Sequence, residues 1–114
     1  MPETANRIDA RFSALKKAGK RAFVAYICAG DPTLEKTIDI VLALEKAGVD
    51  VVELGVPFSD PLADGVVNQM AADRALRAGA STPKVLKMIA ELRKVSQVPI
   101  VLFTYLNPVY TYGY

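Results

Sequence analysis

Three carboxylates, Glu53, Asp60 and Asp64, fall within a stretch that is otherwise apolar or stiff: Glu-Leu-Gly-Val-Pro-Phe-Ser-Asp-Pro-Leu-Ala-Asp. A solvated loop is more polar than this, and a core strand does not tolerate three acids unless something pairs with them. The pattern predicts a strand that presents Glu53 at a sheet end, followed by a proline-stiffened loop that carries Asp64 back toward it. Two carboxylates converging at a strand end can divide acid and base work when their surroundings differ. An ordinary βα loop with solvated acids would carry the same residues, so both readings stand at this point. Histidine is absent and Cys28 is the single cysteine. His-based triads, the usual zinc sites, an internal disulfide and multi-cysteine metal sites are thereby excluded, which leaves carboxylates as the acid–base groups. Without a histidine to activate it, Cys28 reads as a small core residue.

The chain carrying these acids has 114 residues, 52% apolar and 23% charged, with a net charge of +2. That is the composition of a globular chain able to bury a modest core, not of a disordered one. The basic residues are scattered, and the cluster from Lys16 to Arg21 reads as the polar end of a first helix rather than a nucleic-acid surface. Met-Pro-Glu-Thr at the start lacks the basic and apolar regions of a leader. The longest apolar run, Val98 to Tyr105, is too short to span a bilayer. A cytoplasmic location, away from membranes, is the expectation.

The elements that must position the acids follow from periodicity. Ile8, Phe12 and Leu15 recur at helical spacing, with Gly19 as a stop. Ala22 to Cys28 is nearly continuous apolar, as in a strand buried on both faces. Asp31 is expected to cap the next helix with Pro32 at its first position. Its buried stripe is Leu34, Ile38, Val41 and Leu42, and Gly48 ends it. A second strand, Val49 to Leu54, sets Val51 and Glu53 on one face and Val52 and Leu54 on the other. A short helix from Gln69 to Arg77 follows, then one capped by Thr82 with Val85, Met88, Ile89 and Leu92 on its apolar side. Val98 to Tyr105 is the third strand.

Strands separated by full helices require parallel crossovers. No Gly-x-Gly-x-x-Gly follows the first strand, which weighs against a dinucleotide-binding fold. The order fits an α/β fold, a parallel (β/α)8 TIM barrel, with residues 1–114 as a single domain forming only its N-terminal portion. Such a barrel takes about 250 residues, and its phosphate-binding loops come after strands seven and eight. Both sheet edges and one face are therefore expected to be open, with the chain stopping in the loop where a third barrel helix should begin.

Glu53 to Gly65, together with Ala29-Gly30-Asp31-Pro32 and Tyr105-Leu106-Asn107-Pro108, resembles the tryptophan synthase alpha chain in order and spacing. The resemblance runs from about Arg11 onward. Two positions depart from it, Val66, where the family usually has proline, and Asn68, where it has an aliphatic residue; they change loop stiffness and pocket polarity. The resemblance implies retro-aldol cleavage of indole-3-glycerol phosphate to indole and glyceraldehyde 3-phosphate, without metal or organic cofactor on this chain. Glu53 matches the general acid–base residue. Asp64 matches the carboxylate that pairs with the indole N–H, where an anion near developing positive charge lowers the barrier. Tyr26, Phe103 and Tyr105 lie where aromatic rings could flank an indole, although ordinary barrel packing accounts for them equally well. Asn68 would sit near the substrate. Pro57, Phe58, Asp60 and Asn107 match positions that meet the beta subunit, which carries pyridoxal phosphate and uses the indole. The 114-residue chain alone is expected to be inactive. One alternative is a non-catalytic partial barrel that folds by self-association or with its missing half, and another is a different phosphate-handling barrel enzyme.

Overall fold

The computed structural model describes residues 6–113. The element order is α1 (Arg7–Lys17), β1 (Val24–Cys28), α2 (Leu34–Lys46), β2 (Val51–Gly55), α3 (Val66–Arg77), α4 (Thr82–Leu92), β3 (Ile100–Phe103) and α5 (Leu106–Tyr112). The strands form one parallel sheet in the order β1-β2-β3, with Tyr26 opposite Glu53, Glu53 opposite Val101, and Gly55 opposite Phe103.

One face of the sheet is covered by α2 and α4. Leu54, Val56, Val85 and Met88 form one buried cluster with Ala29, and Val41, Val49, Val52, Leu92 and Val98 form another. These are the alternate strand residues and helical stripes that the sequence pattern assigns to the core. On the opposite face Val24, Val101 and Phe103 are exposed. The strands are therefore not buried on both faces as expected: the described residues supply helices for one side only. β1 and β3 are both edge strands, as the strand count implied.

α3 packs differently. Its Ala71, Ala72 and Ala75 form a cluster with Cys28 and Ala80, so small side chains let the helix lie close to the end of β1. The β1–α2 connection is tightly seated there. Gly30 has φ +92°, and a Cβ on it would lie 2.7 Å from the Ala80 Cβ. Its N–H donates to the buried Thr37 hydroxyl at 2.9 Å, and that hydroxyl donates to the Thr33 carbonyl at 2.8 Å. At the other end of the strands, Asp50 accepts from the Phe23 N–H at 2.7 Å and from Arg11 Nε at 2.8 Å. The backbone hydrogen bond first, then Arg11, holds the Asp50 carboxyl below the usual carboxylate range. This joint docks α1 against the sheet; within α1 only Leu15 is buried, and Phe12 stays exposed.

Several boundaries differ from the sequence expectation. Thr33, not Asp31, caps α2, because the Asp31 carboxylate is taken by Arg74 in a two-pronged pair at 2.9 and 3.0 Å. Ser81, one residue before Thr82, caps α4. α3 begins at Val66 rather than Gln69, with Gly65 at its cap position and no side-chain cap. A seventh-to-last-residue loop was expected after the third strand, yet Leu106–Tyr112 is helical; Pro108 sits in its first turn, where a missing N–H costs no hydrogen bond.

Candidate active site

The site is built where the carboxyl ends of β2 and β3 meet the loop between β2 and α3. Residues that face each other across a parallel pair share a face, so Tyr26, Glu53 and Val101 lie together, with Gly55 and Phe103 two residues further along. The Tyr26 and Phe103 rings meet edge to face, with centroids 5.5 Å apart and planes at 79°. Asp64 closes this end of the sheet. A cavity of about 250 Å3 lies between them, lined by Tyr26, Asp64, Phe103 and Tyr105 with Val56, Ala63 and Thr104.

Local bonding explains how Asp64 arrives there. The Asp64 N–H donates to the Pro61 carbonyl at 3.1 Å, and the Gln69 side chain donates to the Asp64 carbonyl at 2.8 Å. The neighbouring Ala63 N–H donates to the Tyr105 hydroxyl at 2.9 Å, so the loop is fastened to the end of β3 by an aromatic residue. Tyr105 also packs against Phe58, with ring centroids 5.2 Å apart.

Electrostatics keep the phenol of Tyr26 protonated. Burial is the main cause, with Cys28, Asp64, Tyr105 and Glu53 adding to it, and together they push its pKa up to about 12. The Cys28 thiol is pushed up to about 11, by burial first and then by Asp31 and Asp64. A buried thiol so held is a packing group, not a nucleophile. Among the described residues no group of three or more Asp, Glu or Cys is placed to hold a metal ion.

The residues singled out by sequence divide into three sets. Tyr26, Asp64, Phe103 and Tyr105 line one cavity, with Glu53 half-buried in register beside Tyr26. Pro57, Phe58 and Asn107 line a second groove of about 400 Å3 beside the start of α4. Asp60 is exposed outside that groove, and Asn68, in the first turn of α3, is half-buried without lining the cavity. Gly55, Ala63 and Thr104 went unread in the sequence, since a glycine, an alanine and a threonine at strand and loop ends carry no chemistry of their own.

A parallel βα order with acids and aromatic rings gathered at the carboxyl ends of the strands is the arrangement of a (β/α)8-barrel protein. Comparison with known proteins narrows this. The profile of the tryptophan synthase alpha chain matches residues 12–114, and the chain belongs to that family. It is 52% identical over 108 residues to the tryptophan synthase alpha chain of Geobacter sp. (strain M21), covering 95% of this chain and 40% of that one. The crystal structure of the alpha subunit from Legionella pneumophila superposes with a TM-score of 0.93 at 44% identity, over 96% of this chain and 42% of that one. A tryptophan synthase from M. tuberculosis, solved in an aminoacrylate-bound form, gives 0.86 at 32% identity over 96% of this chain and 44% of its own. The chain thus spans about 40% of the length of the relatives it matches, and its fold is the N-terminal portion of a TIM barrel.

Proposed function

We propose that these residues supply the acid–base part of an indole-3-glycerol phosphate lyase, a carbon–carbon lyase of tryptophan biosynthesis that works in the cytoplasm. The observation that carries the reading is the single cavity that joins Asp64 to Tyr26, Phe103 and Tyr105, with Glu53 in register beside it. In this reading Glu53 moves the protons of the retro-aldol step, to indole C3 and from the glycerol hydroxyl. Asp64 pairs with the indole N–H and stabilises the tautomer that carries positive charge on the ring. The aromatic rings flank the indole, and Asn68 adjusts the wall behind it.

No metal or organic cofactor is assigned to this chain. Pyridoxal phosphate belongs to the beta subunit, which docks through Pro57, Phe58, Asp60 and Asn107. The groove lined by Pro57, Phe58 and Asn107 supports that assignment, being continuous with the loop that ends at Asp64. Full activity requires the remaining strands, because the phosphate-binding loops of such barrels come late.

The test is indole release from indole-3-glycerol phosphate by this chain continued through the remaining length of the Geobacter relative, with and without a beta subunit. Glu53→Gln is expected to lower kcat by at least about 100-fold, the scale of positioned acid–base catalysis, with the fold unchanged by circular dichroism. Unchanged turnover in that variant would remove Glu53 from the mechanism. Indole release by the 114-residue chain itself would show the later strands to be dispensable.

A further inference from the structure

Gly55 is the one glycine of the strands, and its backbone does not need to be glycine. The positive-φ glycines are Gly19, Gly30, Gly48, Gly79 and Gly113, all outside the strands, and Gly55 is not among them. What it provides is clearance. A Cβ on Gly55 would overlap the Tyr26 hydroxyl and lie 2.8 Å from its Cζ and 2.9 Å from its Cε2.

The geometry of the sheet explains why that space is used. Tyr26 is on β1 and Phe103 on β3, the two strands on either side of β2. Neighbouring strands are about 4.8 Å apart, so residues two strands apart start about 10 Å from each other. Their ring centroids are nevertheless 5.5 Å apart. The rings close that distance by leaning over β2, and the β2 residue facing Phe103 in the register is Gly55. Both rings also line the cavity that holds Asp64.

We infer that Gly55 is a positioning and specificity-determining residue of this site: its absent side chain is the slot through which Tyr26 crosses β2 to meet Phe103, which fixes the aromatic wall against which a planar ring is bound. Any larger residue drives Tyr26 out of the slot, opens the contact with Phe103 and moves a ring into the space beside Asp64. This deepens the proposed lyase reading and rests on it for the identity of the ring.

The test is a double-mutant cycle in this chain continued through the remaining length of the Geobacter relative, comparing the parent, Gly55→Ala, Tyr26→Leu and both together. Gly55→Ala is expected to raise KM and lower kcat/KM for indole-3-glycerol phosphate by about 10- to 100-fold, the cost of misplacing a binding group by an ångström. In the Tyr26→Leu background the same change is expected to cost less than about 3-fold, because the obstructed ring is gone. An equal loss in both backgrounds, or no loss in either, overturns the inference. A second measurement stands apart from activity: nuclear Overhauser contacts between the Tyr26 and Phe103 rings in the 114-residue chain. They are expected in the parent and lost in Gly55→Ala; their absence from the parent or persistence in the variant overturns the inference. A parent that shows the ring contact yet releases no indole would sink the lyase reading and leave the role of Gly55 intact.

Discussion

Gly30→Ala concentrates two separable costs at the joint between β1, α2 and α3. The first is conformational: Gly30 has φ +92°, a region where an L side chain costs about 1–2 kcal/mol. The second is steric, since the new methyl would lie 2.7 Å from the Ala80 Cβ and 3.2 Å from the Ala75 Cβ. Carbon atoms prefer about 3.5–4.0 Å, and overpacking of this kind costs about 1–3 kcal/mol. Reduced freedom of the unfolded chain returns about 0.4–1 kcal/mol. The net destabilisation is about 1.5–4 kcal/mol, a large part of the stability of a small domain. In urea unfolding, with a slope of about 1–3 kcal/mol per M, the midpoint should fall by about 1–2 M. Adding Ala80→Gly removes the closest contact but not the unfavourable φ, so the double variant should be more stable than Gly30→Ala alone and less stable than the parent. A midpoint unchanged by Gly30→Ala, or a double variant no better than the single, would refute the account of how this loop is seated.

Two further outcomes follow from the titrating groups. The Asp50 carboxyl is held low by the Phe23 N–H and then by Arg11, so its contribution is complete above the ordinary carboxylate value near about 3.9 and is lost as pH falls through the lowered one. Asp50→Asn should therefore lower the urea midpoint at neutral pH and flatten its decline below about pH 4; an acid decline as steep as the parent's would assign the effect to other carboxylates. The Cys28 thiol, buried and pushed up to about 11, should react with a disulfide reagent near pH 8 at least about 100-fold more slowly in the folded chain than in urea. Equal rates would mean that the end of β1 opens freely.

Much of the scaffold was readable because burial has a period. Val85, Met88 and Leu92 recur on one helical face and are buried, and Val52 and Leu54 alternate with Val51 and Glu53 as a strand requires. The caps were harder to read. Asp31 is a good capping residue by type, but an arginine more than forty residues away claims it, and no local pattern announces that pair. Ser81 and Thr82 are chemically close neighbours, so the sequence could not separate them. The start of α3 was hidden by Val66 and Val67, whose branched side chains favour strands, and α5 by its proline and aromatic residues. Tyr26, Phe103 and Tyr105 were visible as aromatic residues near strand ends. Their convergence on Asp64 was not, because it depends on register, on the Tyr105 hydroxyl that reaches Ala63, and on the vacancy at Gly55.

The sheet order β1-β2-β3 follows the order of the chain, which gives the cavity a history as well as a shape. During synthesis from the N-terminus, Tyr26 and Glu53 come into register once β2 has emerged, closing a single helical crossover of modest entropic cost. The slot at Gly55 is then present, but nothing yet stands on its far side. Phe103 completes the ring contact and Tyr105 fastens the Asp64 loop only when the third strand arrives. The earliest pairing in the protein thus holds one acid in waiting, and the last strand described brings the other under control.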